Sequence, residues 1–314
     1  MSVKTSATTQ LLIRDGKKGN LLEMRGLSPT PEERWDLLRR FLDLNPTDLE
    51  AMGATVEILM RRGPEFVAGT YEYLAAFPAT ASILGWEHGV DEAHLEERRR
   101  FFTIWLARTL GLDLSADMAA YLFRAGKWHA GHGPRAIHTP EIFVTGSVSL
   151  TQAAFARYLA NALEDAQLIA RALSGWNKVL TLHLDMMLAG YRAARVLEEG
   201  SARATLRVYN KLRPILGLNE MDVGVGPLTT AGDLLRRVVD YFPQLRDELF
   251  ESHVEAPLSD QGGEVPTWLE DLEHVYVLRP SWTILHNNVN LRWREGLEAQ
   301  VKPDDTLAIF PPTR

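Results

Sequence analysis

The chain contains no cysteine among its 314 residues. That absence removes disulfide staples, thiolate nucleophiles, iron–sulfur clusters and cysteine-held zinc together, and it fits a cytoplasmic protein. Positive charge is also scarce. The 34 Lys and Arg stand against 41 Asp and Glu, a formal net charge of −7, which argues against nucleic acid or an anionic membrane surface as the main partner. No apolar run reaches the roughly 18 to 20 residues of a membrane span, and the polar opening, residues 1–20, has no apolar signal core. There is no flavin or nicotinamide motif and no internal repeat.

What remains is the composition of a globular protein, 46% hydrophobic and 24% charged, on a chain long enough for two domains. Residues 1–29 read as a flexible lead-in. Thr30-Pro31-Glu32-Glu33 then has the form of a capping box with Pro at the first helical position, opening a helix through about Leu44. Asn45-Pro46 restarts a helix to about Met60, and Gly63-Pro64 breaks or kinks it. Apolar residues at Phe66, Val67, Leu74 and Phe77 carry helical spacing up to Pro78. Further helices are expected over 91–110, 115–128, 139–174 and 175–199, so that residues 30–199 form an all-α domain of seven or eight helices. After Gly200 the period changes. Strands are expected over 204–209, 221–225, 274–278, 282–287, 289–293 and 306–310, with one amphipathic helix from Thr230 to Tyr241 and an inserted polar loop over 251–268. Residues 200–314 therefore read as an α+β domain, and the whole chain as multidomain.

His129 is the residue with the sharpest chemical implication. It closes the apolar helix Tyr121-Leu-Phe-Arg-Ala-Gly-Lys-Trp-His129, with Phe101, Phe102, Trp105, Tyr71 and Tyr73 upstream. One imidazole bordering an aromatic pocket meets the needs of a haem iron: a neutral nitrogen ligand, a dry cavity and one polar group beyond. Plainer alternatives exist. Aromatics at helical spacing also make ordinary core, and a histidine beside an apolar helix is often structural. A non-haem metal at His129, His132 and His138 is a third choice, but Gly131, Gly133 and Pro134 break the helix there and no carboxylate has a telling spacing. His88 and His94 flank a charged run and read as solvated, and His183 as structural.

Three separated stretches carry a resemblance. Phe66-Val-Ala-Gly-Thr-Tyr71-Glu-Tyr73-Leu-Ala-Ala-Phe-Pro78 resembles the second main helix of globin-coupled sensors and protoglobins. Asn177-Lys-Val-Leu-Thr-Leu-His-Leu-Asp185-Met-Met-Leu-Ala-Gly-Tyr191 is similar to their last helix, and His129 falls where they place the proximal ligand. The likeness covers about residues 45–195. It implies an all-α globin-like domain binding haem b through the iron ligand His129, with Tyr71 facing and hydrogen-bonding a diatomic ligand (O2, NO or CO). Phe102, Trp105 and Phe143 are the expected pocket walls. The turn after His129 departs from the family pattern, so His132 is kept as the alternative ligand. The family also implies a homodimer through the last two helices of this domain. Function on this reading is gas or redox sensing. The rivals are a globin enzyme acting on O2, NO or peroxide, and a cofactor-free helical scaffold.

The second half carries its own resemblance. Residues 205–217, Thr230-Ala-Gly-Asp233, Asn287-Asn-Val-Asn-Leu and Lys302-Pro-Asp-Asp305-Thr-Leu-Ala-Ile-Phe310-Pro-Pro312 resemble the small sulfur-carrier proteins of the β-grasp (ubiquitin-like) fold. The sequence stops at Thr313-Arg314, without the terminal Gly-Gly that family uses. The expected role is therefore an output or interaction module with a protein partner.

Overall fold

A computed structural model describes residues 22–255 and 273–312. The chain divides into two compact units: Pro29–Arg195, and Val196 onward together with the residues before Pro29.

The first unit is helical. Its helices are α1 Pro31–Phe41, α2 Pro46–Gly53, α3 Val56–Ala76, α4 Pro78–Leu84, α5 Glu92–Leu110, α6 Ala116–His129, α7 Glu141–Ala162 and α8 Ala166–Leu197. The starts are where the caps put them. The Thr30 hydroxyl accepts from the Glu33 amide while the Glu33 carboxylate accepts from the Thr30 amide, and Asn45 and Asp48 repeat the device for α2. Pro64 does not break α3. The carbonyl it leaves without a donor belongs to Met60, which is exposed. Pro78, expected to end a helix, also opens α4 from the first position.

The largest correction in this unit lies between α7 and α8. A helix over 139–174 followed by a break at Gly175 is not found. The chain turns at 163–165, where the Asp165 carboxylate caps α8 by accepting from the Gln167 and Leu168 amides. Gly175 sits inside α8 because α2 passes close by. A Cβ there would lie 2.6 Å from Met52 Sδ and 2.7 Å from Met52 Cγ. The core is built from Trp35, Met52, Met118, Leu122, Phe155, Leu159, Trp176 and Leu180, all essentially inaccessible. Trp176 Nε1 donates to Thr55 Oγ1 at 3.0 Å, which satisfies the buried indole.

The second unit holds β2 Ala202–Val208, β3 Glu220–Val225, β6 Thr283–His286, β7 Val289–Asn290 and β8 Thr306–Phe310 in one sheet, ordered β3-β2-β8-β6-β7. β2 and β8 are parallel, pairing Leu206 with Leu307 and Val208 with Ile309; the other neighbours are antiparallel. The helix α9, Ala231–Tyr241, places Leu234, Leu235, Val238 and Val239 in the core beneath this sheet. A hairpin, a helix crossing and a central parallel pair of first and last strands make the β-grasp topology expected from the sequence. Leu291–Trp293, expected as strand, is instead a short 3-10 turn.

A second sheet, β1-β5-β4, was not foreseen. β1 is Glu23–Arg25, at the end of the expected lead-in, whose residues 1–21 lie outside the described residues. β4, Phe250–Glu255, occupies the start of the expected loop and pairs antiparallel with β5, Glu273–Leu278. The rest of that loop, 256–268, lies outside the described residues. Met24 and Phe250 are buried in the core of this unit, which is why the polar stretches around them still order.

Candidate functional site

Helices α3, α5, α6 and α7 enclose a cavity of about 580 Å3 in the helical unit. This lies within the roughly 300 to 1,000 Å3 typical of cofactor sites. The expected residues Tyr71, Phe102, Trp105, His129 and Phe143 all line it; His132 and His138 do not.

The spacing on α5 explains one wall. Arg98, Phe102 and Trp105 stand at i, i+4 and i+7, one face of a helix. Phe102 and Trp105 stack with centroids 5.1 Å apart, and Phe66 and Tyr71 meet Phe102 at 5.4 and 6.0 Å. Phe143, in the first turn of α7, packs edge-on to Phe77 at 6.1 Å. The walls are therefore aromatic on several sides.

His129 occupies the last position of α6, where helix carbonyls lack amide partners. Its Nδ1 lies 2.8 Å from the Ala125 carbonyl oxygen. A carbonyl only accepts, so Nδ1 carries the proton and Nε2 keeps its lone pair. Burial pushes the imidazole below its ordinary pKa, the Ala125 bond works against this, and the Arg98 charge adds to the lowering. A neutral imidazole with one nitrogen fixed by a carbonyl and the other free is the donor a metal requires. The next turn is held as well: Thr139 N donates to His129 O at 2.7 Å, and His138 Nε2 lies 2.7 Å from the Tyr191 hydroxyl on α8.

The position of α6 depends on two glycines. A Cβ on Gly126 would lie 1.9 Å from Met187 O, and one on Gly190 would lie 1.9 Å from Phe123 O. Helices α6 and α8 thus touch backbone to backbone one turn before His129.

The Tyr71 hydroxyl donates to the Arg98 carbonyl at 2.9 Å, and burial raises its pKa to about 12. Two other expectations meet the structure here. His94, expected to be solvated, is buried, and its Nε2 accepts from Arg98 Nε at 3.0 Å. Among the described residues no group of three or more His, Asp or Glu side chains gathers to hold a metal, and His138 is engaged by Tyr191. Sequence reading missed Arg98, hidden in the run Glu96–Arg100, although its register with Phe102 and Trp105 was available. It also missed Arg124 and Arg157, exposed cations on the cavity lining.

The fold and the site together define a globin-type helical domain with one histidine presented to an aromatic cavity. The Protoglobin family model matches residues 31–196, over half of the chain, and the chain belongs to that family. Among solved structures, the globin domain of the Geobacter sulfurreducens globin-coupled sensor is 16% identical with a TM-score of 0.44, covering 50% of this chain and 97% of that one. The small archaeal modifier protein 1 (SAMP1) of Methanosarcina acetivorans is 28% identical, TM-score 0.25, covering 35% of this chain and 93% of that one. SAMP1 of Haloferax volcanii is 21% identical, TM-score 0.25, covering 36% and 97%. No curated protein matches the chain.

Proposed function

We propose that the chain is a haem-based gas or redox sensor in which His129 holds the iron of haem b. The observation that carries this reading is the His129 imidazole, tied at Nδ1 and free at Nε2, beside an aromatic cavity of about 580 Å3. Haem, when bound, supplies an iron with one position open to O2, NO or CO.

The chain's own residues supply the rest. His129 offers a neutral nitrogen in a fixed orientation. Phe102, Trp105, Tyr71 and Phe143 would pack against the apolar faces of the porphyrin. Arg124 and Arg157, exposed on the cavity lining, would be available to its carboxylates. The fit is chemical as well as volumetric: apolar walls, one nitrogen donor and cationic partners for two carboxylates.

A sensor also needs a second arrangement of the fold that the ligand favours. The Gly126–Gly190 crossing leaves α6 little room to move without α8, and the Thr139–His129 and His138–Tyr191 bonds link the following turn to the same helices. A shift at His129 is therefore passed to α8. Helix α7 leaves Ile142 and Leu150 exposed, apolar surface that suits pairing of two copies through α7 and α8. The β-grasp unit serves as the output module for a protein partner, with β3 and β7 as the edge strands of its sheet.

The test is an absorption spectrum of protein produced with haem available. The expected result is a Soret band that responds to CO on reduction. A protein that stays colourless after hemin reconstitution overturns the proposal.

A further inference from the structure

His94 and Arg98 are the hub of a small polar network at the start of α5. His94 stands in the first turn of that helix and is 3% exposed, although the charged run around it suggested solvent. Its ring packs edge-on against Trp86, between α4 and α5, with centroids 5.4 Å apart. Its Nε2 lies 3.0 Å from Arg98 Nε, one turn on. The Arg98 carbonyl accepts from the Tyr71 hydroxyl of α3 at 2.9 Å. Glu97, the residue before Arg98, pairs at 2.7 Å with Arg135, in the segment that follows His129. One turn of α5 therefore fastens α3, the approach to α5 and the chain leaving α6. Phe102 and Trp105 line the cavity one and two turns further along the same helix.

Hydrogen-bond chemistry fixes the state of His94. A guanidinium only donates, and it keeps its charge at every pH a folded protein meets. His94 Nε2 is therefore the acceptor, and the ring is neutral with its proton on Nδ1. A second proton goes to Nε2. It turns the acceptor into a donor and sets two cations side by side, so the bond cannot survive it. The surroundings resist that proton. Burial lowers the pKa of the ring most, the Arg98 and Arg135 charges add to the lowering, and Glu97 and Asp91 oppose it. The neighbours from other helices and loops, Trp86 and Tyr71, are uncharged near neutral pH.

We propose that the His94–Arg98 bond is an acid-sensitive latch on α5, closed while the imidazole is neutral and opened by one proton. Opening frees the Arg98 turn, and with it the Tyr71 and Arg135 contacts. Acidity then acts on the aromatic wall and on the segment after His129. The latch is a property of the helical unit and needs no cofactor; only its effect on a haem-bound gas rests on the reading above. The open form returns the ring to its ordinary pKa of 6.5, whereas the closed form holds it lower. The closed form is thus fully favoured above pH 6.5, and this preference is lost as pH falls through the lowered value. The opening equilibrium rises by up to about tenfold between about pH 7.5 and pH 5.5.

The experiment combines imidazole 15N NMR with amide hydrogen exchange on the full-length chain. The protein is reduced and saturated with CO, so that any haem it carries is diamagnetic. The proteins are the wild type, His94→Gln and His94→Phe. Gln keeps an acceptor that no proton converts, and Phe keeps a ring against Trp86 without an acceptor. The expected His94 signal is the neutral Nδ1–H tautomer, titrating below 6.5. Wild-type protection over residues 95–99, corrected for intrinsic exchange, should fall by up to about tenfold from pH 7.5 to pH 5.5. His94→Gln should hold its protection across that range, and His94→Phe should be weakly protected at both ends. The other histidines are common to all three proteins and cancel in the comparison. An Nε2–H tautomer, or titration at or above 6.5, overturns the proposal. So does equal pH dependence in the wild type and His94→Gln, or wild-type protection in His94→Phe at pH 7.5. None of these outcomes is read from the Soret band, so failure of the latch leaves the haem reading standing, and a colourless protein still tests the latch.

Discussion

Gly126 on α6 and Gly190 on α8 each face a backbone carbonyl of the opposite helix so closely that an added Cβ would lie 1.9 Å from its oxygen. This crossing sets the height of α6, and with it the position of His129. It is also the tightest link between the cavity and the long helix that leads out of the domain.

Gly126→Ala and Gly190→Ala are therefore expected to destabilise the protein by about 3 kcal/mol or more, because the clash is with backbone and no side chain can move aside. Gly146→Ala, at an exposed position on α7 with nothing near the added carbon, is the control; it is expected to be neutral or to gain about 0.4 to 1 kcal/mol. Urea unfolding of the three variants measures this. Equal behaviour of all three would mean that α6 and α8 separate easily, and the coupling role would fall.

His183 gives a pH prediction. The ring is fully buried between Trp35 and Trp105, with centroids 6.0 Å from each, and neither nitrogen has a hydrogen-bond partner. Burial holds its pKa at about 3 in the folded state. The unfolded chain takes up a proton near its ordinary value of about 6.5, so the neutral ring favours folding fully above that pH. As pH falls from 6.5 toward 3, this contribution is lost. Between pH 7 and pH 5 the wild type should lose up to about 2 kcal/mol more stability than His183→Leu, which has no such group to titrate. Replacing an unsatisfied polar ring by an apolar one should be neutral or stabilising at pH 7. Identical pH sensitivity of the two proteins would show that the ring finds a partner in solution.

Tyr71→Phe separates two uses of one hydroxyl. With the proton given to the Arg98 carbonyl at 2.9 Å, removal should cost about 1 kcal/mol of stability. It should change O2 release by less than about threefold. Stopped-flow release from the haem-loaded protein measures the second quantity. A tenfold acceleration would mean that the hydroxyl leaves Arg98 and turns to the gas.

Much of the fold was legible in the chain because its signals are local. Thr30/Glu33 form the capping box their spacing suggested, α2 starts at the expected Asn45-Pro46, and the helix from Thr230 ends at Tyr241 as its apolar stripe does. The errors share a physical cause. Gly175 looked like a stop, yet it is a contact glycine required by Met52. That requirement is tertiary and leaves no trace in local sequence. β1 was missed because it pairs with a segment more than 200 residues away in sequence, and β4 because the polar stretch after Phe250 shows little apolar alternation. At the site, the aromatic positions and His129 were readable from helical register. Arg98 was not singled out, because the charged run Glu96–Arg100 gives no sign of which member packs against the domain.

The account stands or falls on the bond between His129 and iron. The measurement is the absorption spectrum of haem-loaded wild type, His129→Ala and His132→Ala, compared at equal protein concentration. The account predicts a Soret band in the wild type, its loss or marked alteration in His129→Ala, and an unaltered band in His132→Ala. A band that survives in His129→Ala and disappears in His132→Ala, or no band in any of the three, would contradict it.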